Sequence, residues 1–82
     1  MARAGKRKEN VRIAFGRRLR ELRHRVALSQ EALALQCGLD RSYVGQVERG
    51  ERNLSLENIH KLAAALKVEP AELLRPTGSD PA

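Results

Sequence analysis

The chain has 82 residues, of which 41% are hydrophobic and 32% charged, and a formal net charge of +6 at pH 7. This length makes one small domain, near the lower size at which a single core suffices without disulfides or a metal ion. Its one cysteine, Cys37, excludes an intrachain disulfide and a cysteine-rich zinc site. The sequence shows neither a signal peptide nor an apolar run of membrane-spanning length, so we expect a cytoplasmic protein without metal or other cofactor.

The positive charge is concentrated at one end of the chain. Residues 1–27 hold ten of the sixteen Lys and Arg and two acids, a net charge of +8, whereas the remainder holds six against eight, a net charge of −2. This asymmetry favours a polyanionic partner, and nucleic acid over membrane because no strongly apolar face accompanies it. Residues 1–8, MARAGKRK, are predicted to be a disordered arm, which lies along phosphates, enters a minor groove or only aids solubility.

The first predicted helix runs from about Lys8 or Glu9 to Val26. Its apolar residues recur at spacings of four, four, three and four, which is typical of an amphipathic helix. These residues are Val11, Phe15, Leu19, Leu22 and Val26. The other faces are crowded with arginines, most of which we expect to be solvated.

Two short helices joined by a tight turn are predicted next. Ser29 is a good N-cap for a helix from about Gln30 to Cys37, because its hydroxyl can accept a backbone N–H of the first turn. Gly38 then ends that helix where a left-handed residue is needed. A small residue, Ala34, lies where the two helices should cross, and permits close approach of their backbones.

The second of these helices, Arg41–Arg49, is predicted to be capped by Asp40. Val44 and Val47 are three residues apart and should face inward. The outward face then carries a guanidinium, a hydroxyl and a carboxamide, the groups best suited to reading hydrogen-bond patterns on base edges. These groups belong to Arg41, Ser42 and Gln46.

Two further helices complete the predicted domain, which spans residues 9–75. Ser55 caps a fourth helix, whose apolar stripe consists of Leu56, Ile59, Leu62, Ala63 and Leu66. Pro70 begins a short fifth helix that extends to about Leu74. One of Leu73 and Leu74 should enter the core and the other is a candidate dimer contact, so both are kept as candidates. Residues 76–82 are predicted to be a loose tail.

Together these features resemble the phage-repressor and Cro type of helix-turn-helix family over roughly residues 10–75. The resemblance depends on a combination of signals: the capped start at Ser29, the small Ala34, the turn at Gly38 and the ending Glu48-Arg49-Gly50. Within the family, the run LDRSYV and the run ERGERNLS are most similar to controller proteins of restriction-modification operons.

The resemblance implies an all-α, compact five-helix domain of the lambda-repressor-like type, with the second helix of the motif in the major groove. By position, it implies base contacts from Arg41, Ser42 and Gln46. It implies phosphate contacts from Ser29, Gln30, Tyr43, Arg49, Arg52 and Asn53. It also implies an ion pair between Arg23 and Glu48 that holds the first helix to the third.

Three positions depart from the family pattern. Ala27 stands where relatives often have glycine, and alanine costs roughly 1 kcal/mol if this residue needs a positive φ. Gly45 removes a side chain from the surface that should face the groove. Leu35 occupies a position that is usually polar and should be exposed.

We therefore expect a sequence-specific regulator that binds double-stranded DNA as a homodimer, with no membrane contact and no small-molecule effector. The alternative is a protein-interaction module, such as an antitoxin or adaptor, with secondary DNA binding. An enzyme is disfavoured because the sequence shows no phosphate-binding glycine loop and no metal-ligand set. An RNA-binding module is disfavoured because Phe15 and Tyr43 are the only aromatic residues. His24 and His60 are interpreted as surface residues.

Overall fold

The computed structural model describes residues 10–79, so the predicted basic arm 1–8 lies outside the described residues. Within that range the chain forms five α-helices and no strand, as the fold-class prediction stated. The helices are α1 (Val11–Arg25), α2 (Gln30–Cys37), α3 (Arg41–Glu48), α4 (Leu56–Leu66) and α5 (Pro70–Leu73). None of these five helices combines the length and apolar character that crossing a membrane requires.

Helix α1 begins later than the sequence predicted. Asn10 has extended backbone angles and its side-chain oxygen accepts the N–H of Arg12 at 2.8 Å, which fixes Val11 as the first helical residue. Of the predicted apolar stripe, Phe15, Leu19 and Leu22 are buried. Val11, the first residue of α1, and Val26, the residue that follows its last turn, are exposed.

The core is almost wholly aliphatic and draws on all five helices. Its buried apolar residues are Phe15, Leu19, Leu22, Leu33, Ala34, Val44, Val47, Leu62, Ala63, Leu66 and Leu73. Burying a large apolar side chain contributes about 1.5–3 kcal/mol each. Leu56 was predicted on the apolar stripe of α4 but is exposed, because the first turn of that helix lies outside the core.

Capping side chains explain most of the helix boundaries. The hydroxyls of Ser29 and Ser55 accept the N–H groups of Ala32 and Asn58, both at 3.0 Å, as predicted for two N-caps. Asp40 occupies the N-cap position of α3 without a side-chain capping bond. Its carboxylate instead accepts the Ser42 hydroxyl at 3.0 Å, so the predicted side-chain cap is wrong.

Two glycines in α1 and after α3 let these helices approach closely. A Cβ built on Gly16 would lie 2.5 Å from the carbonyl oxygens of Val47 and Glu48, far inside van der Waals distance. A Cβ on Gly50, whose φ is +79°, would lie 2.7 Å from Cγ1 of Ile13. No local pattern in the sequence predicts this contact, in which the backbone of α3 lies directly on Gly16.

The start of the predicted loose tail is attached to α1. Glu21 accepts the backbone N–H of Gly78 at 2.9 and 3.0 Å, and this bond, followed by one from Arg18, lowers the pKa of the Glu21 carboxyl. Arg18 is fully buried and also donates to the backbone oxygens of Glu72 at 2.8 Å and Ser79 at 3.3 Å. Hydrogen bonds with Glu21 and Arg18 hold the backbone of Gly78 and Ser79 against α1, and residues 80–82 of the predicted tail lie outside the described residues.

Candidate nucleic-acid interface

Helices α2 and α3 form a helix-turn-helix unit. Ala34 is buried, and its carbonyl oxygen accepts the N–H of Leu39 at 2.9 Å. Gly38 adopts a left-handed conformation with φ +71° and ends α2. The hydrogen-bonded turn and the small residue together fix the angle at which α3 leaves α2.

An ion-pair network holds α3 to the two preceding helices. Arg23 donates to both carboxylate oxygens of Glu48, from Nε at 2.6 Å and from Nη2 at 2.9 Å, so the expected pair is present. Arg23 also donates to the carbonyl of Leu28 at 2.8 Å. Gln30 donates to the same carboxylate at 2.9 Å. Because both charged groups are almost fully buried, losing either one would leave the other uncompensated.

The first turn of α3 presents Arg41 and Ser42 on the open surface. The Arg41 side chain is 68% exposed, and its guanidinium lies 3.7 Å from the carboxylate of Glu31 on α2. Ser42 donates its hydroxyl to Asp40. Exposed pairs of this kind contribute little to stability, so both side chains can exchange their partners for a ligand.

A second group of polar side chains surrounds Gln46, which is partly exposed. Arg52 donates to the side-chain oxygen of Gln46 at 2.9 Å, and its guanidinium carbon lies 5.0 Å from the centre of the Tyr43 ring. The Tyr43 hydroxyl accepts an N–H from Asn58 on α4 at 3.1 Å. These four residues line a shallow depression of about 420 Å³ beside α3.

Further cations and polar groups border this surface. Arg49 contacts Glu51 through two hydrogen bonds of 3.1 and 3.2 Å. This bond lowers the pKa of the Glu51 carboxyl and raises the pKa of Arg49. Asn53 is exposed in the following loop. Ser29 already uses its hydroxyl to cap α2.

Gly45 was predicted to lie on the open surface of α3, but it does not. It is buried, and a Cβ there would lie 3.4 Å from both Oε1 of Gln30 and Nη1 of Arg49. Alanine would therefore make ordinary contacts at this position. The glycine lies beneath the side chains of its neighbours, so the surface that α3 presents is formed by longer residues around it.

The two leucines kept as dimer contacts have different environments. Leu73 is completely buried in the core and cannot form a surface, so its assignment as a dimer contact is wrong. Leu74 is 69% exposed. With Val11, Ala14 and Pro76 it lines an open, largely apolar groove of about 540 Å³ between α1 and α5.

Other candidate residues do not join a site. Leu35 is 81% exposed, in agreement with the departure noted in the sequence. His24 and His60 are also exposed. Among residues 10–79, His, Cys, Asp and Glu form no group of three or more that could hold a metal ion. Cys37 is half-buried, which raises the pKa of its thiol.

Residues 19–73 match the model of a family described as helix-turn-helix. The chain belongs to this family. The matched residues run from the middle of α1 to the end of α5. They therefore include Arg41, Ser42 and Gln46 on the surface of α3. The helix-turn-helix resemblance read from the sequence is confirmed.

The relatives within the family include restriction-modification controllers. The chain is 47% identical over 66 residues to the control protein C.BamHI of Bacillus amyloliquefaciens, covering 79% of this chain and 82% of that protein. The crystal structure of the controller protein C.AhdI from Aeromonas hydrophila is 66% identical and has a TM-score of 0.75, covering 76% of this chain and 94% of that one. A hypothetical transcription factor from Neisseria, 41% identical, has a TM-score of 0.79 over 93% of this chain and 90% of its own.

Proposed function

We propose that this protein is a sequence-specific transcription regulator of the restriction-modification controller type. The observation that carries the proposal is the outer surface of α3, where Arg41, Ser42 and Gln46 offer polar groups. The opposite side of this helix is fixed to α1 by the buried Arg23–Glu48 ion pair. The 66% identity to a restriction-modification controller protein supports the same function.

In this proposal α3 enters the major groove of double-stranded DNA. Arg41, Ser42 and Gln46 contact base edges, and Arg41 can make a bidentate contact with guanine. Phosphate contacts come from residues that border α3: Ser29, Gln30, Tyr43, Arg49, Arg52 and Asn53. The Gln30 and Ser29 side chains already have partners within the protein, so the backbone N–H groups at the start of α2 are the stronger phosphate donors there.

The regulator acts as a homodimer in the cytoplasm. A second copy covers the groove around Leu74, which places two α3 helices one turn of DNA apart, about 34 Å, on a two-fold symmetric operator. Occupancy then depends on protein concentration, with no cofactor, small-molecule effector or enzymatic step. Bound protein either blocks RNA polymerase or recruits it.

Selection of genomic fragments followed by footprinting tests this proposal. We expect one or a few sites with two-fold symmetry, each protected over two successive major grooves on one side of the duplex. The result that would overturn the proposal is binding that depends on salt but has no sequence preference, since phosphate attraction alone produces that behaviour.

A protein-interaction module, such as an antitoxin or adaptor, is the second candidate. The specific observation in its favour is Leu35, a large apolar side chain that is 81% exposed on α2. Replacing Leu35 with glutamine separates the two functions. A regulator keeps its operator affinity after this substitution, whereas an adaptor loses its protein partner.

A further inference from the structure

Gln46 is held in one orientation by its neighbours, and this orientation limits which base it can read. Its side-chain oxygen accepts a hydrogen bond of 2.9 Å from Nη1 of Arg52. Because the donor is a cation, this bond is stronger than one between neutral groups. Within residues 10–79 the structure gives the Gln46 side-chain nitrogen no acceptor, so its two N–H groups remain available at the surface.

Arg52 is itself fixed by contacts with two other elements. Its guanidinium stacks on the ring of Tyr43, 5.0 Å from the ring centre, within the range of a cation–π interaction. The Tyr43 hydroxyl is in turn bonded to Asn58 on α4 at 3.1 Å. The orientation of Gln46 therefore depends on a chain of contacts that reaches the body of the protein.

Glutamine usually reads adenine with both ends of its carboxamide. The nitrogen donates to N7 and the oxygen accepts from the N6 amino group. In this protein that oxygen already accepts from the Arg52 cation, which leaves it one lone pair. The cation and the two Gln46 N–H groups make this surface richer in donors than in acceptors. Guanine presents two acceptors, N7 and O6, on its major-groove edge and fits that surface.

We propose that Arg52 positions Gln46 mainly as a hydrogen-bond donor, so that Gln46 favours guanine over adenine at the base pair it reads. This inference rests on the proposed function, because it assumes that α3 lies in the major groove. Arg52 is then a positioning residue for specificity. Its remaining N–H groups are still available to a phosphate.

The test measures base preference with a duplex library randomised at one half-site. Gln46→Ala first identifies the base pair that Gln46 reads, as the one position where preference disappears. At that position the unsubstituted protein should favour guanine over adenine about tenfold, within the range for one well-formed side-chain contact. A preference for any other base at that position would overturn the proposal.

Arg52→Ala then tests the positioning role. Freeing the Gln46 oxygen should shift the guanine-to-adenine ratio toward adenine by about tenfold at that position and leave the other positions unchanged. Arg52→Lys keeps the charge and a donor, and should retain part of the guanine preference. The control Arg20→Ala removes an exposed cation from α1 and should not alter the ratio.

Failures of the two proposals give different results. If Arg52→Ala weakens binding to all sequences equally, Arg52 contacts phosphate only and the inference is overturned, while the regulator proposal stands. If the unsubstituted protein binds every member of the library alike, the regulator proposal fails and the inference fails with it.

Discussion

The inner and outer sides of α3 both carry ion pairs, but the two sides differ in exposure. On the inner side, the pair between Arg23 and Glu48 is almost fully buried and bidentate. On the outer side, the pairs Arg41–Glu31 and Arg49–Glu51 are each more than half exposed. Solvent weakens the outer pairs, so they hold their side chains loosely, whereas the inner pair fixes where the helix lies.

This difference in exposure explains how one short helix can have a fixed backbone and still present side chains that can bind a ligand. The backbone is fixed from the inner side by Gly16, which permits contact with α1, and by the Arg23–Glu48 pair. The side chains of the outer side keep partners that DNA phosphates or bases can replace.

Glu48→Ala should cause the largest loss of stability. Removing the carboxylate leaves the buried Arg23 guanidinium without its counter-charge and the Gln30 amide without this acceptor, which costs about 3–5 kcal/mol. Chemical denaturation monitored by circular dichroism measures this loss. The matched control Glu51→Ala removes a carboxylate from the outer side, and we expect its midpoint to stay close to that of the unsubstituted protein. Equal losses in the two variants would contradict the comparison.

Gly16→Ala should destabilise the protein by about 1–3 kcal/mol, because its Cβ overlaps the carbonyl oxygens of α3. Gly45→Ala is the matched control within α3. Its Cβ has ordinary contacts, so the better helix propensity of alanine should leave stability unchanged or raise it by up to about 1 kcal/mol. Thermal unfolding measures the melting temperature of the two variants. If neither substitution lowers it, the close contact between α1 and α3 is contradicted.

Ala27→Gly should stabilise the protein by up to about 1 kcal/mol. Ala27 has a φ of +58°, a conformation that glycine adopts without steric cost, although the greater freedom of the unfolded glycine chain offsets part of the gain. Ala64→Gly, at an exposed position within α4, should instead cost about 1 kcal/mol. Opposite shifts in melting temperature are expected, and a loss in both variants would exclude strain at Ala27.

The smallest expected effect is that of acid, which should release residues 76–79 from α1. Folding lowers the pKa of Glu21 below its ordinary value of 4.5, chiefly through the Gly78 N–H. A lowered pKa means that the stabilisation is complete above pH 4.5 and is lost as the pH falls through the folded value. The Gly78 amide resonance should shift in that acidic range. Glu21→Gln should abolish the shift, and an unchanged titration in that variant would exclude Glu21 as the cause.

Local signals in the sequence were sufficient to predict most of the fold. Serine caps, the glycine at position 38 and the apolar spacing act over a few residues, and they correctly placed five helices. Helix ends were less accurate, because Val11, Val26 and Leu56 continue the apolar period where the core has already ended. The spacing of apolar residues does not show where a helix stops packing against the other helices.

Long-range contacts explain what the sequence did not reveal. Arg18 is one of the α1 arginines, most of which were expected to be solvated. Only the folded chain brings Glu72 and Ser79 into contact with it. Asn58 likewise reaches Tyr43 from another helix. The pair Arg23–Glu48 was expected only through resemblance to a family, since no local pattern joins two residues so distant in sequence.

The most direct test of the central claim is the affinity of Arg41→Ala for its operator and for a scrambled duplex, measured side by side at one salt concentration. If α3 reads base edges, the substitution should cost about 1–3 kcal/mol on the operator, relax preference at one base pair and leave binding to the scrambled duplex nearly unchanged. An equal loss on both duplexes would show that Arg41 contacts only phosphate, and would contradict direct reading of the sequence by this residue.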